Sequence, residues 1–448
     1  MVRVFVTLLL LLVGCGVAKA HDLTVSDVSV VDVLNGKVLS NHHIGITKGK
    51  ITYLGPDPVE AQQIIQGAGR WAIPGLWDMH VHISDPSFFP LFLANGVVGV
   101  RDMGGSAENG SDGCESAAGQ ILKAWRSQIL RGLLQGPEIV MAGQVLSGTG
   151  SRSSLAAHTP QLARQAVSSV VSAGADFVKV YEDIPLDALL AISNEAKKQN
   201  VPFAGHVSEE TLRAIDAVRA GQRSVEHVRS NLLVCFAESE DQLQRFFESD
   251  HWSAQDRQWA EPHIRSCSDL WKELPNSQTW LTPTLAVQET LELAGSDGFE
   301  SDPRRITLPQ SIIQSVVDRS RSLRQRTPDE LKEVRNWNRH IHRFVNRANG
   351  FGVKLLAGSD AACEGTLPGY SLHRELELLR DAGLTSLQAL QTATLEPANY
   401  LGRSDRAGRL ERGFDADIVL IDGDPLENIS NSRLVSGLII DGRVVAIE

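Results

Sequence analysis

Cysteine is scarce in this 448-residue chain. There are five, Cys15, Cys114, Cys235, Cys267 and Cys363, and no two form a C-x-x-C pair. A cysteine-rich zinc site of the usual spacing is therefore not expected. In an oxidising compartment the four that follow Cys15 can pair, and Cys235 with Cys267 is the one pairing proposed from sequence. Basic runs are also missing. No stretch of five Lys or Arg residues occurs, and the formal net charge is −11, so nucleic acid is not an expected partner. Beyond the first twenty residues there is no apolar run of transmembrane length, and no membrane-spanning helix is expected. Internal repeats and low-complexity segments are absent as well. What remains is ordinary globular composition, 42% hydrophobic and 22% charged, with ample chain to bury a core.

The chain opens differently. Arg3 precedes an apolar run from Val4 to Val13, broken only by Thr7 and too short for a stable membrane anchor. Residues 1–20 read as a signal peptide. Ala18-Lys19-Ala20 offers one cleavage site, leaving His21 as the first mature residue. Leu12-Val13-Gly14-Cys15 offers another, of bacterial lipobox type, which would leave a lipid anchor on Cys15. Either reading exports the protein, to the periplasm, to the outer membrane as a lipoprotein, or to the medium.

After the leader the texture is short strands and turns to about residue 70, and the same texture returns from Ala416 to Ile447. Asn35-Gly36 and Asp441-Gly442 are hairpin signals. Residues 21–73 and 400–448 are accordingly read as one small β-sandwich domain built from both ends of the chain. Between them, over 74–399, apolar strands alternate with helical stretches, the pattern of βα units around a parallel sheet. Eight strands are expected, centred on Trp77–Ile83, Gly96–Met103, Glu138–Ala142, Phe177–Tyr181, Pro202–Val207, Ser224–Val228, Trp280–Leu285 and Val353–Ser359. The fold class expected is α/β, a (β/α)8 TIM barrel. Charge-rich helical insertions are expected at about 235–278 and 286–350, covering its mouth.

The chemistry sits at the strand ends, where barrels of this kind place their active sites. In Asp78-Met79-His80-Val81-His82 a spacing of two puts both imidazoles on one face of a strand. Two neutral imidazoles there suit a zinc-type cation, though such a pair alone is as consistent with packed histidines. Lys179 lies inside Phe177-Val178-Lys179-Val180-Tyr181, a strand buried on both faces, and a buried lysine is costly unless paired or neutralised. His206 ends strand five, His227 ends strand six and Asp360 closes strand eight. Ligand-type residues at the ends of five different strands are poorly explained by packing alone. Arg101 and Asp102, adjacent in the second strand, are expected to form an ion pair below the site.

This order, H-x-H, Lys, His, His, Asp, resembles the binuclear amidohydrolase superfamily over most of the mature chain. The resemblance extends to Ile73-Pro74-Gly75-Leu76 before the first metal strand and to Gly413-Phe414-Asp415-Ala416-Asp417-Ile418-Val419 near the C-terminus. It implies two divalent metal ions. His80, His82 and Asp360 would hold the first, and His206 and His227 the second. Lys179, carboxylated by carbon dioxide, would bridge them. Zinc fits these ligands, as do manganese, cobalt and iron. The resemblance further implies a metal-activated water as nucleophile, with Asp360 as the catalytic proton carrier. Within the superfamily, Val98-Gly99-Val100-Arg101-Asp102-Met103-Gly104 and Val178-Lys179-Val180-Tyr181 are similar to prolidase- and dipeptidase-like members.

Substrate contacts are less legible. Tyr181, two residues from Lys179, points the same way and either hydrogen-bonds the substrate or packs at the barrel rim. Arg152 and His158, in a Gly- and Ser-rich loop, either hold a substrate carboxylate or belong to a solvated loop. The expected reaction is hydrolysis of an amide or peptide C–N bond in a small-molecule substrate, a dipeptide or N-acyl amino acid. Lactone, cyclic amide or phosphotriester hydrolysis is the alternative on the same site. A non-catalytic extracytoplasmic binding protein would be expected to lack ligands, and none is missing.

Overall fold

A computed structural model describes residues 20–105, 114–150, 154–249, 253–296, 299 and 301–447. Cys15 and the rest of the leader before Ala20, and Arg152, lie outside the described residues.

The protein is a mixed α/β structure. Five strands open the described chain: β1 (His21–Asp32), β2 (Lys37–Thr47), β3 (Lys50–Gly55), β4 (Ala61–Gln66) and β5 (Trp71–Pro74). Nine short strands follow at intervals: β6 (Leu76–Val81), β7 (Val97–Asp102), β8 (Glu138–Met141), β9 (Val145–Ser147), β10 (Ser154–Ala156), β11 (Val178–Val180), β12 (Phe203–Gly205), β13 (Ser224–Glu226) and β14 (Trp280–Thr282). Strands β15 (Ile418–Ile421), β16 (Val435–Ile440) and β17 (Arg443–Val445) complete the set.

The first five strands and the last three share one eight-stranded sheet. The β-rich unit expected from the two termini is present, and hydrogen bonds run continuously through all eight of its strands. The cause is β1. Register shifts between Val25 and Val28 and between Val28 and Val30 let this long strand change partner, pairing with β4 along its first half and with β5 at Ser29 and Val30. The C-terminal strands join through antiparallel pairing of β15 with β5. Alternating apolar residues, among them Val25, Val30, Ile44 and Ile418, give this sheet a small core of its own.

The intervening strands are parallel and lie in two sheets, β6-β7-β8 and β10-β9-β11-β12-β13-β14. Their apolar runs are buried throughout, as in Leu76–Val81 and Val97–Asp102, the pattern required when both faces are covered. The segment expected as an eighth strand forms no ladder. It makes single bridges, Leu355 to Leu281 and Ala361 to Val81, and Asp360 N donates to the His80 carbonyl at 2.8 Å. The segment thus runs between β14 and β6 and sets Asp360 beside His80.

Helices pack outside, with ends written in the sequence. Thr159 caps Pro160–Ser172 by accepting from Leu162 N. Leu186–Lys198 carries Asp187 in its first turn and Lys197 and Lys198 in its last, matching the helix dipole. The expected insertions are helical: Glu240–Ser249, Ala254–Glu273, Leu285–Leu293, Gln310–Leu323 and Pro328–Gly350 are their main pieces among the described residues, the last opened by a Thr327/Glu330 capping box. No described helix is long and apolar enough to cross a membrane.

Two disulfides are present. Cys235–Cys267 is the pairing proposed from sequence; Cys114–Cys363 was not foreseen, and spans 249 residues of chain. Cys235 is buried beside Trp271, whose indole N–H donates to the Cys235 carbonyl. Replacing Cys235 and Cys267 by Ala is expected to cost roughly 2–4 kcal/mol, from the closure of a loop of this length. Denaturant unfolding of the variant would measure it, and an unchanged midpoint would mean that packing alone holds the insertion.

Candidate metal centre

The four strand-end histidines converge. Ring centroids of His80 lie 5.5 Å from His82 and 4.9 Å from His227, and His206 is 4.8 Å from His227. Asp360 joins them: Oδ1 is 3.4 Å from Nε2 of both His80 and His82, and Oδ2 is 4.0 Å from His227 Nδ1. Lys179 lines the same cavity, of about 590 Å³. Another cavity, of about 760 Å³ and lined by Phe236, Arg343 and Asp381, contains none of these residues. Donor chemistry, not size, distinguishes the site.

Each imidazole is pinned through Nδ1. His80 Nδ1 meets Glu226 Oε2 at 2.9 Å, His82 Nδ1 the Gly104 carbonyl at 2.9 Å, His206 Nδ1 Glu182 Oε1 at 2.7 Å, and His227 Nδ1 Thr284 Oγ1 at 2.6 Å. Such contacts fix ring orientation and tautomer, as they do for metal-binding histidines generally. They leave the other nitrogen of each ring for the cavity. His80 Nε2 and Asp360 Oδ1 are buried with no hydrogen-bond partner, a costly state that a cation would relieve. One ligand atom each from His80, His227 and Asp360 lie within 4.8 Å of one another. This trio cuts across the two ligand groups implied by the resemblance, because His227 stands next to His80 as well as to His206.

Electrostatics favours the neutral ligand form at three of the four histidines. At His82 burial lowers the imidazole, but the hydrogen bond and charge of Asp360 outweigh it and raise it above its ordinary value. Burial lowers His80 to about 4 and holds His206 and His227 well below the ordinary histidine range. These imidazoles are neutral near pH 7, as metal ligation requires. Burial also lowers the Lys179 ammonium, to about 8. Close passage of β12 over this lysine requires Gly205. Its φ is +138°, and a Cβ there would stand 2.0 Å from the Val180 carbonyl oxygen and 3.0 Å from Lys179 Cδ. His227, Thr284 and Asp360 all sit at positive φ, 63°, 51° and 59°. Such strain in non-glycine residues tends to gather at functional sites.

Below the ligands lies a charged group that sequence reasoning misassigned. Arg101 is fully buried, and its partner is Glu226, at 2.9 Å to both carboxylate oxygens, not Asp102. Adjacent strand residues point to opposite faces. Asp102 instead accepts from Ile83 N, Gly104 N and Ser116 Oγ, shaping the turn after His82. Glu226 was visible as a carboxylate inside an apolar strand, which is a signal in itself. Glu182, next to Tyr181, and Arg229, two residues past His227, also line the cavity and were not assigned. Thr284 left no sequence signal.

The expected substrate contacts fare unequally. Tyr181 lines the cavity, 41% exposed, its ring 4.3 Å from that of His206. His158 is exposed, with Nδ1 against the Gly148 carbonyl, and is not among the residues lining the cavity, whereas Ser147, Thr149 and Ser154 of the same stretch are.

Removing one partner of a buried ion pair leaves the other charge unpaired. Glu226→Ala is therefore expected to destabilise the protein by about 3–5 kcal/mol, and Arg101→Met with Glu226→Leu by clearly less. Denaturant unfolding of both variants decides it; equal losses would mean that the pair contributes through shape rather than charge.

The Amidohydrolase family matches residues 71–239 and 306–445. Among solved structures, bottromycin amidohydrolase is similar with a TM-score of 0.70 and 20% identity, covering 95% of this chain and 87% of that one. A Xaa-Pro dipeptidase with methionine bound in its active site has a TM-score of 0.65 and 18% identity over 94% and 99%. The A. niger ochratoxinase has 0.65 and 18% over 95% of each. At these identities the likeness is one of fold. An adenine deaminase of Desulforamulus reducens is 36% identical over 78 residues, 17% of this chain and 13% of that protein. The chain thus matches only about an eighth of the length of this curated relative.

Proposed function

The chain belongs to the amidohydrolase family, and from that premise we propose that it is an exported, metal-dependent hydrolase cleaving an amide or peptide C–N bond in a small substrate of dipeptide or N-acyl amino acid type. The observation that carries the reading is the cluster of four imidazoles, each held through Nδ1, around a buried Asp360 oxygen with no hydrogen-bond partner. In this reading the two parallel sheets and the Val353–Asp360 segment are parts of one eight-stranded barrel, residues 74–399, with the cavity at the C-terminal ends of its strands. Residues 21–73 and 400–448 form the accompanying β domain. Residues 1–20 direct export, either cleaved before His21 or lipidated at Cys15. Two disulfides support an oxidising destination.

The donor set fits two divalent cations, zinc first among them. His80, His82, His206, His227 and Asp360 would hold them, with Lys179 as the bridge. When bound, such ions polarise a carbonyl and lower the pKa of water. The chain's residues supply the rest. Lys179 is buried and lowered to about 8, so its neutral amine is accessible. Addition to carbon dioxide forms an N–C bond and releases one proton, turning a costly buried cation into an anionic ligand. Asp360 is assigned to accept the proton of the attacking water and return it to the leaving nitrogen. Glu226 and Glu182 keep His80 and His206 from rotating. Tyr181, on the cavity wall against His206, is assigned to substrate contact.

Elemental analysis of the purified protein is expected to find close to two metals per chain, falling at least to one in Lys179→Ala. One metal in both proteins would overturn the bridged site. The metal-loaded protein is then expected to hydrolyse members of a dipeptide and N-acyl amino acid panel. Turnover confined to parallel lactone, cyclic amide, phosphotriester or adenine substrates would move the chain to another reaction on the same centre.

A further inference from the structure

The cavity does not end at the ligand cluster. A second compartment of about 750 Å³ adjoins it, and the two share Glu209, Ser230, Gln288, Leu291 and Trp337 as lining. The outer walls come from the helical insertions: Trp259 from Ala254–Glu273, Leu291 from Leu285–Leu293, Glu333 and Trp337 from Pro328–Gly350.

Two indoles shape the compartment. Trp259 is half-buried and fixed. Its Nε1 donates to the Glu209 carbonyl at 3.0 Å, and its ring lies 4.4 Å from that of His263. With the N–H already used, what it offers an occupant is ring surface. Trp337 is half-buried on the wall common to both compartments.

Charge here is one-sided. Glu210, Asp256 and Glu333 line the compartment together with Glu209, against Arg326. Arg326 Nη1 already donates to the Leu291 carbonyl. At the inner end, Arg229 Nη1 is paired with Glu182 at 3.2 Å and with Glu209 at 3.4 Å. An occupant's carboxylate would have to compete for these committed guanidinium groups. Carboxylates are committed too, Glu209 to Ser230 N and Arg229, and Asp256 to Ser253. But four acidic side chains line the compartment against Arg326, so an occupant's cation meets a net negative wall beside aromatic faces, which attract it together. Acidic side chains on an open surface would carry no such meaning. These stand on the wall of an aromatic compartment that opens onto the ligand cluster.

Building on the amide hydrolysis proposed above, we infer that this compartment binds the part of the substrate remote from the scissile bond, and that this part is a cationic group on an apolar stem, an ammonium or guanidinium side chain. Leu291 and the indoles cover the stem, while Glu210 and Glu333 face the charge.

The test is equilibrium binding, which needs no turnover. n-Butylguanidinium and n-butylurea have nearly the same shape, carry no acyl–amino acid bond to cleave and differ by one charge. Titration calorimetry of the metal-loaded protein is expected to give at least tenfold tighter binding of the guanidinium probe, weakening as salt is raised. The preference is expected to vanish in Glu210→Gln with Glu333→Gln, two positions open to solvent in part, with the melting temperature as the check on folding. Equal binding of the two probes, or binding of neither, overturns the inference. So does a preference that survives in the double variant, which would place the cation elsewhere. A charge preference lost in the variant, in a protein that cleaves no amide, would leave the compartment standing and remove the reaction.

Discussion

The buried pairing of Arg101 with Glu226 is the constraint on which the site depends. Neither side chain is exposed, and between them they touch most of the surrounding frame. Arg101 reaches the Met79 carbonyl on β6, Ser224 and Glu226 on β13, and the Tyr400 hydroxyl. Glu226 takes the Ser224 hydroxyl and the His80 imidazole. Burial alone would raise the Glu226 carboxyl, but Arg101 and His80 hold it well below the usual carboxylate range. A pair of this kind adds little net stability over well-packed apolar residues. What it does here is positional. The carboxylate that neutralises Arg101 is the same one that orients His80, so the packing of the interior and the aim of a ligand are a single interaction.

The same logic recurs around the cavity. His206 is held by a carboxylate that also pairs with Arg229, and His227 by a hydroxyl on a residue that is itself at positive φ. The strain at His227, Thr284 and Asp360 is local and small beside the core that surrounds it. It is tolerated because hydrogen bonds over-determine each residue: Asp360 N donates to the His80 carbonyl, while Cys363 N and Thr366 Oγ1 donate to the Asp360 carbonyl. A cluster of candidate ligands fixed in this way has the preorganisation that metal sites need.

How much of this the sequence disclosed follows from what its signals can encode. The mixed α/β character and the family were legible, because alternating apolar runs and the order of His80, His82, Lys179, His206, His227 and Asp360 are local or linear features. The structure brings five of those side chains to the wall of one cavity, with His80 buried behind them against Asp360 and His227. The Cys235–Cys267 pairing was also proposed, over a short separation. Partners set by three-dimensional packing were not legible. Arg101 was given the wrong carboxylate because its neighbour in sequence points away from it. That both termini contribute strands to one β unit was legible from their matching texture, but the change of partner at the bulges of β1 was not. Cys114–Cys363 joins distant segments that no spacing rule connects. His158 shared a stretch with Thr149 and Ser154, which line the cavity while it does not, and composition alone does not say which residue of a loop faces inward.

That last contrast bears on how the molecule divides its work. The ligand cluster stands on strand ends, where every side chain is set by backbone hydrogen bonds and buried partners. Residues that would choose a substrate stand mostly on the helices inserted after β13 and β14, two of which open on capping boxes and one of which is tied by Cys235–Cys267, but whose cavity faces are half open. The two layers meet at Glu209. Its carboxylate accepts from Ser230 N at 2.6 Å and pairs with Arg229, and its carbonyl receives the Trp259 indole N–H. One residue thus ties the inner guanidinium to the outer aromatic wall. Specificity can change through the insertions without disturbing the imidazoles, because nothing in the Arg101–Glu226 network reaches that far. The converse does not hold: a shift in the strand ends would carry Glu209, and with it the outer wall, out of register with the centre it serves.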